Sequence, residues 1–287
     1  MRLEISTVML QWAAGGLAFL WVTTRRREVG LGYGWLLRGV YACLAGIALA
    51  ASLAGGGTGT AETVFRAAAG ATVGVTLLTF AVSVVYRRAG VRGLRERKDA
   101  GRERVAAMVG GAVAPVEPEP TSREFPPALD LVAPACALVG ILAAASIDGG
   151  PYALTLFRLL AGAALLGAST DAMLLGHWYL VQPGLGRDPI RELVWLLAIV
   201  WLLDVVAFVI PTGVVSVFTG SIDDGYGGLL AWIWLTSALT TIVLAGVTWL
   251  ALKERSYSAV MAATGLLYLA ILTAFGTDLV ARALLTS

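Results

Sequence analysis

The sequence predicts an all-α integral membrane protein, a bundle of about eight transmembrane helices, from its composition, segment lengths and residue pattern. Hydrophobic residues make up 58% of the 287 residues and charged residues only 14%, whereas a soluble domain carries about a quarter charged residues. Eight apolar stretches are long enough to cross a bilayer core of about 30 Å, which takes about 20 helical residues. None alternates apolar and polar residues as the strands of a membrane barrel do.

The predicted spans are helices, because backbone N–H and C=O groups inside lipid must be satisfied within the same segment. The first span is expected to remain in the chain, since its start, Met1-Arg-Leu-Glu, is not a basic leader and its arginines follow the apolar run. In chain order, the predicted spans cover residues 5–23, 34–54, 62–85, 128–147, 153–181, 191–218, 227–251 and 257–281.

The orientation is predicted by the basic residues, which alternate between the connecting loops. The loops after the odd-numbered spans are basic, and they carry Arg25–Arg27, residues 87–104, Arg187 with Arg191, and Lys253 with Arg255. The other loops are neutral or acidic. Because basic loops stay in the cytoplasm, both termini are expected to be extracytoplasmic in a multi-pass protein of the cell (inner) membrane. The lipid bilayer is the expected partner of the basic face, and no nucleic acid is expected to bind.

One long connection divides the chain into three parts. Residues 1–85 form a three-helix segment, residues 86–127 a cytoplasmic linker, and residues 128–287 a five-helix segment. The linker is rich in arginine up to Arg104 and then rich in proline and glycine, a composition typical of a flexible tether. It is interpreted either as a tether or as the docking site of partner membrane or cytoplasmic subunits.

Few residues in this chain are suited to hold a metal or a cofactor. The two cysteines, Cys43 and Cys136, lie in apolar spans without a Cys-x-x-Cys pair, and His177 is the only histidine. One histidine cannot supply a two-histidine zinc site or a bis-histidine haem. We therefore expect no metal site and no cofactor bound by this chain alone, with a quinone as the one candidate.

Charged side chains inside the predicted spans are the default functional candidates, since charges within a bilayer are costly. They are Arg158, Asp171, Asp204 and Asp278. At ~1.5 Å per helical residue, Asp171 and Asp204 are expected at similar depths near the midplane. Arg158 is expected to pair with Asp278 or with another group in its half of the bilayer.

Three further features concern helix geometry. Pro211 is expected to kink the sixth span and to free a backbone carbonyl near Ala207. Small residues at a spacing of four, from Ala164 to Gly176, predict that the fifth helix packs closely among its neighbours. Arg38, near the start of the second span, is expected to reach the interface by snorkelling.

The end of the fifth span, Gly176-His-Trp-Tyr-Leu-Val-Gln-Pro-Gly184, groups polar and aromatic side chains at one interface. A quinone headgroup needs hydrogen-bond donors for its carbonyls and an aromatic wall for its ring. His177, Tyr179 and Gln182 are candidates for the first role and Trp178 for the second, so these four are the predicted ligand-binding residues. The alternative is an aromatic belt followed by a helix stop.

These features leave three classes of function open. The first is a membrane subunit of a redox or energy-conserving complex, with a quinone-like or other lipid-phase ligand near the cytoplasmic end of the fifth helix. The second is a small proton- or ion-coupled transporter that uses the midplane carboxylates. The third is a structural or assembly protein without a site of its own. Whether the chain is an enzyme is left open.

Overall fold

The structure, a computed structural model, is helical throughout the residues that it describes and contains no strand there. The described residues are 4–89, 91, 96, 99–100, 103, 124–147, 150–182, 185–212, 226–254 and 256–286. Most of the predicted linker therefore lies outside the described residues, as do Pro183 and Gly184 at the end of the fifth span.

Among the described residues, eight long α-helices, numbered here α1 to α8, correspond in order to the eight predicted spans. A short 3-10 turn, Pro127–Leu131, leads into the fourth helix, and the two together are as long as a membrane span. Each of the eight is long and apolar enough to cross a membrane, which is consistent with a helical membrane bundle. The helices are α1 (Ile5–Thr24), α2 (Leu31–Ala54), α3 (Thr60–Val85), α4 (Val132–Ile147), α5 (Tyr152–Val181), α6 (Asp188–Thr212), α7 (Leu229–Ala251) and α8 (Tyr257–Thr286).

The helix surfaces away from the core carry large apolar side chains. Leu78 on α3, Val243 on α7 and Leu272 on α8 are 64%, 60% and 68% exposed. Exposed apolar area on this scale is unusual for a soluble monomer and typical of a surface that contacts lipid. The outer helix faces are therefore suited to the hydrocarbon of a bilayer.

The helix α5 occupies the centre of the bundle. In its most apolar window 78% of the residues are buried, against 28% for α7. The small residues Ala168 and Ala172 are fully buried, and Gly176 lies against Thr264 of α8, where an added Cβ would come within 2.9 Å of the hydroxyl. The predicted close packing of this helix is confirmed.

The closest helix contact joins α1 to α5 through glycines. A Cβ at Gly15 would lie 1.7 Å from the carbonyl oxygen of Ala163, and a Cβ at Gly167 would lie 2.2 Å from the carbonyl carbon of Gly15. The adjacent Gly16 leaves room for the ring of Tyr41 on α2. Because only glycine permits backbones to approach this closely, these positions fix how α1 sits against the centre of the bundle.

The two ends of the bundle differ in charge. One end carries the start of α1 and the end of α8, and is called the terminal end below. The other carries Arg25 and Arg26, which both pair with Glu192 at the start of α6, and Arg27, which pairs with Glu124 at 3.0 Å; it is called the basic end.

Candidate functional site

Five polar side chains from four helices meet inside the bundle, and they form what we call the polar cluster. They are Gln11 on α1, Arg158 on α5, Asp204 on α6, and Asp278 and Arg282 on α8. Gln11 and Arg282 are 0% and 2% exposed. All five lie in the half of the bundle nearest the terminal end, since Gln11 follows the first residue of α1 by only six positions, or ~9 Å of rise.

Arg282 is the centre of the hydrogen-bond network in the polar cluster. Its Nε donates to Asp278 Oδ2 at 2.8 Å, and its Nη2 donates to Asp278 Oδ1 at 3.1 Å. The same Nη2 donates to the amide oxygen of Gln11. Asp278 and Arg282 are one helical turn apart, so α8 alone positions the guanidinium against the carboxylate. The hydrogen bond to Gln11 then connects this ion pair to α1.

Arg158 binds to the backbone of α6 one turn before its proline. Its Nε donates to the carbonyl oxygen of Ala207 at 3.2 Å, and Pro211 lies inside the helix four residues later. Proline has no N–H to satisfy the carbonyl four residues before it, so Arg158 replaces the missing donor. The predicted release of this carbonyl is confirmed. Arg158 was expected to pair with Asp278 or with another group in its half of the bilayer; in the same cleft, Asp278 pairs with Arg282.

Asp204 faces a narrow cleft lined by Arg158, Asp278 and Arg282. Its Oδ2 has no hydrogen-bond partner among the described residues although its side chain is buried. Two donors of the polar cluster, Nε2 of Gln11 and Nη1 of Arg282, are likewise buried without a partner there. Buried polar atoms are nearly always hydrogen-bonded, so an unmet acceptor and two unmet donors among the described residues set this cluster apart.

Gly162 makes the approach of α5 to the polar cluster possible. A Cβ at this position would lie 2.2 Å from Asp278 Oδ1 and 2.4 Å from Gln11 Nε2. Any side chain here would displace a carboxylate or an amide that the cluster needs. Gly162 is therefore required for the geometry of the site although it carries no functional group.

Asp171 lies in a separate polar group on the other side of the bundle core. The hydroxyl of Tyr41 donates to its Oδ1, while its Oδ2 has no partner among the described residues. The hydroxyl of Tyr33 donates to the Asp171 carbonyl at 3.2 Å. Asp171 lies 10 residues from the basic end of α5 and Asp204 16 residues from the basic end of α6, so their depths differ by ~9 Å and they do not form one midplane pair.

A buried ion pair joins Arg38 of α2 to Asp130 in the turn before α4. The Nε and Nη2 atoms of Arg38 donate to Asp130 Oδ1 at 3.0 and 2.6 Å, and Nη1 donates to Ser83 at 3.3 Å. Thr24 donates to Asp130 Oδ2 at 3.0 Å. Arg38 is only 2% exposed, so the expectation that it snorkels to the interface is wrong: a carboxylate within the bundle satisfies it instead.

The structure brings two of the four residues predicted to bind a quinone into contact. Trp178 donates to the side-chain oxygen of Gln182 at 3.0 Å, on the side that faces α2. His177 is exposed, and its Nδ1 lies 3.3 Å from the hydroxyl of Tyr268 on α8. Tyr179 is buried and donates to the carbonyl of Gly186. The quinone hypothesis stays a prediction.

Three members of these networks were missed by sequence reasoning. Arg282 lies one residue beyond the predicted end of the last span, and its spacing of four from Asp278 was the available signal. Gln11 and Asp130 carried weaker signals, since each is a single polar residue at or within an apolar stretch.

The site is thus an arrangement of two guanidinium groups, two carboxyl groups and an amide inside an apolar bundle. Burial of polar and charged side chains within a membrane protein costs free energy, so such residues are candidates for function by default. Three atoms of this site have no hydrogen-bond partner among the described residues. No three His, Cys, Asp or Glu side chains of the described residues come together in a way that could hold a metal ion. Comparison of the chain with protein-family models, with curated proteins and with solved structures finds no match.

Proposed function

We propose that the chain is a small proton-coupled membrane transporter, in which Asp204 of the polar cluster takes up and releases the coupling proton. The observation that carries the proposal is the unmet Oδ2 of Asp204, which faces a cleft between two arginines inside the bundle. Ionisable residues within spanning helices mark ion and proton pathways more often than they serve structure alone.

A proton suits this cleft better than a metal cation does. Hard cations such as Ca²⁺ and Mg²⁺ take about six or more oxygen ligands. The described lining of the cleft provides two carboxyl groups, no hydroxyl, and the Ala207 carbonyl, which already accepts from Arg158. Arg158 and Arg282 would repel a second cation, whereas a proton needs only one oxygen and removes the charge of Asp204.

Protonation of Asp204 offers a physical route to coupling. When Asp204 is ionised, Arg282 is attracted by two carboxylates, those of Asp204 and Asp278. When Asp204 is protonated, Asp278 is the only carboxylate of the cluster that attracts Arg282. Because Arg282 also donates to Gln11, the change reaches α1. Pro211 lies less than two turns from Asp204 and provides a point at which α6 can bend.

The test measures protons directly. In proteoliposomes that contain a pH-sensitive dye, the wild type is expected to carry protons when a membrane potential is imposed, and Asp204→Asn is expected to lower this flux at least about tenfold. Infrared difference spectra between acidic and alkaline buffers should contain a carboxyl band that Asp204→Asn removes. Glu192→Gln, at a carboxyl group outside the cluster whose arginine partners are partly exposed, is the control and should retain both signals.

Two outcomes would favour the other functions. Binding of a quinone analogue that His177→Ala abolishes, with flux unaffected by Asp204→Asn, would favour a redox subunit; the lipid-facing pair of His177 and Tyr268 is where such a ligand could approach. Normal behaviour of both variants in both assays would favour a structural or assembly protein, with loop 86–127 as the candidate docking site.

We also propose that the basic end faces the cytoplasm of the cell (inner) membrane, because arginine-rich loops are retained there. Reporter fusions at Gly56 should then give an extracytoplasmic signal, and fusions at Arg187 a cytoplasmic one. The opposite pair of signals would reverse the orientation, and equal signals at both sites would contradict the number of spans between them.

A further inference from the structure

Asp171 is a buried carboxyl group that the proposed function does not use. Its side chain is 0% exposed, and it lies ~15 Å from the basic end of α5 at ~1.5 Å per residue. Among the described residues no cation forms an ion pair with it, since the arginines inside the bundle have other partners. Arg38 is held by Asp130, Arg282 by Asp278, and Arg158 by the Ala207 carbonyl.

Two phenols of α2 face Asp171. The hydroxyl of Tyr41 donates to its Oδ1, and the hydroxyl of Tyr33 donates to its backbone carbonyl at 3.2 Å. Both tyrosines are fully buried, and they are the titratable side chains that interact with Asp171 among the described residues. A phenol gives a carboxylate a hydrogen bond but no opposite charge, so an ionised Asp171 keeps an uncompensated charge inside the bundle.

The other helices that pack against α5 bring no charged side chain to this level. The helix α4 contains no charged residue, and from α1 the indole of Trp12 donates to the hydroxyl of Thr170. The charged groups of α6 and α8 belong to the polar cluster, and Asp204 lies ~9 Å nearer to the terminal end than Asp171 does. On α5 itself, His177 points ~120° away around the helix axis. The protonation of Asp171 is therefore decided within its own group of residues.

Gly16 of α1 determines which oxygen of Asp171 is open to a proton. A Cβ at Gly16 would overlap both the ring and the hydroxyl of Tyr41, so this glycine gives the phenol the space from which it reaches Oδ1. The other oxygen, Oδ2, is buried and has no hydrogen-bond partner among the described residues. A proton needs no cavity at this oxygen, unlike a larger ligand, and its binding removes the charge.

Polar side chains lead from the basic end toward Asp171. Tyr33 is the third residue of α2, which begins at the basic end, and the side chain of Thr23, near the end of α1, contacts its hydroxyl. Both side chains are buried. Hydroxyl groups therefore connect the basic end to the carboxyl group through otherwise apolar packing.

We propose that Asp171 is a second proton-binding site of this protein, at which Oδ2 takes up and releases the proton and Tyr41 positions the carboxyl group. With the proton bound, Asp171 is neutral and Oδ1 accepts from Tyr41. When the proton leaves, the electrons of the O–H bond stay on the carboxylate, and Tyr41 still donates to it. The role of Asp171 in transport rests on the proposed function: Asp171 serves the half of the route at the basic end, and Asp204 the half at the terminal end.

The experiment records infrared difference spectra of the full chain in lipid nanodiscs between acidic and alkaline buffers. Besides the band that Asp204→Asn removes, the wild type is expected to show a second carboxyl band that Asp171→Asn removes. Tyr41→Phe keeps the carboxyl group but removes the hydrogen bond to Oδ1, so it should move this second band to higher frequency. Tyr33→Phe is the matched control and should leave the band in place, because that hydroxyl donates to the backbone carbonyl.

Two results would overturn the proposal: no carboxyl band that depends on Asp171, or a band that Tyr41→Phe and Tyr33→Phe affect equally. Tyr41→Phe retains the carboxyl group, so it tests the site even where Asp171→Asn lowers the yield of folded protein.

Proton flux in proteoliposomes separates this inference from the proposed function. Asp171→Asn is expected to lower the flux about tenfold or more, as for loss of an ionisable residue on a proton pathway. A wild type without flux would contradict the proposed function, while an Asp171 band would still support proton binding at this site. Flux that Asp204→Asn lowers and Asp171→Asn leaves unchanged would overturn the role of Asp171 in transport alone.

Discussion

At the scale of single residues, each buried arginine of this bundle is tied to a carboxyl group or to a backbone carbonyl. Arg38 pairs with Asp130, Arg282 with Asp278, and Arg158 binds the carbonyl that Pro211 releases from the helix ladder. A buried ion pair adds little net stability over apolar residues of the same size, but loss of one partner leaves an uncompensated charge. These ion pairs and this hydrogen bond therefore determine which substitutions the fold tolerates.

The pair of Arg38 and Asp130 allows a quantitative test of this asymmetry. Asp130→Ala is expected to lower the free energy of unfolding by about 3–5 kcal/mol, because the guanidinium stays buried without its carboxylate. The double variant Arg38→Met, Asp130→Leu should recover most of that loss, since it removes both charges. Reversible unfolding in mixed micelles measures both values.

An exposed ion pair of the same chain provides the control. Arg26 pairs with Glu192 at 3.0 Å, but its side chain is 41% exposed. Arg26→Ala should therefore cost no more than about 1 kcal/mol. If Asp130→Ala were as mild as Arg26→Ala, the buried pair would not have the role assigned to it.

At the scale of helices, sequence reasoning succeeds where a signal lies within one segment. The eight apolar runs predict the eight helices, because a span must be long, apolar and internally hydrogen-bonded. The effect of Pro211 on Ala207 and the tight packing around Ala168 follow from local rules in the same way. Each of these predictions needed only residues that are close in the chain.

The partners across helices could not be predicted, because they depend on how each helix is rotated about its axis. Asp171 and Asp204 were expected at similar depths near the midplane without a predicted partner for either, whereas α5 directs Asp171 to Tyr41 of α2. The four residues at the end of α5 do not share one face for the same reason: consecutive helical residues point about 100° apart, so Trp178 contacts Gln182 one turn later while His177 lies beside Tyr268 of α8. A ligand pocket therefore cannot be built from four nearly consecutive positions of one helix without help from its neighbours.

The helix α1 connects the polar cluster to the centre of the bundle. The side-chain oxygen of Gln11 accepts a hydrogen bond from Arg282 of α8. One turn later, Gly15 and Gly16 hold α1 against α5 and Tyr41. A change in the hydrogen bonds of the polar cluster would thus act on a helix that is closely packed against its neighbours.

At the scale of the whole molecule, the segments before and after the long linker pack into one bundle. Contacts across this division are polar as well as apolar: Arg38 to Asp130, the Gln11 side-chain oxygen to Arg282, and the Trp12 indole to Thr170 at 2.8 Å. The helix α1 packs against α4 and α5, and α3 packs against α4. The covalent link is therefore not what holds the segments together among the described residues.

This packing predicts that the chain tolerates a break in the linker. Residues 1–110 and 111–287, expressed together as separate chains with a tag on one of them, are expected to insert and to purify as a stable pair, because their contacts do not require the linker. Asp130→Ala should lower the recovery of the untagged fragment several-fold, since it removes a contact between the fragments. Arg66→Ala is the matched control: its partner Ser52 lies within the same fragment, so recovery should be unchanged. Fragments that insert but do not purify together would show that the linker itself is needed to hold the bundle closed.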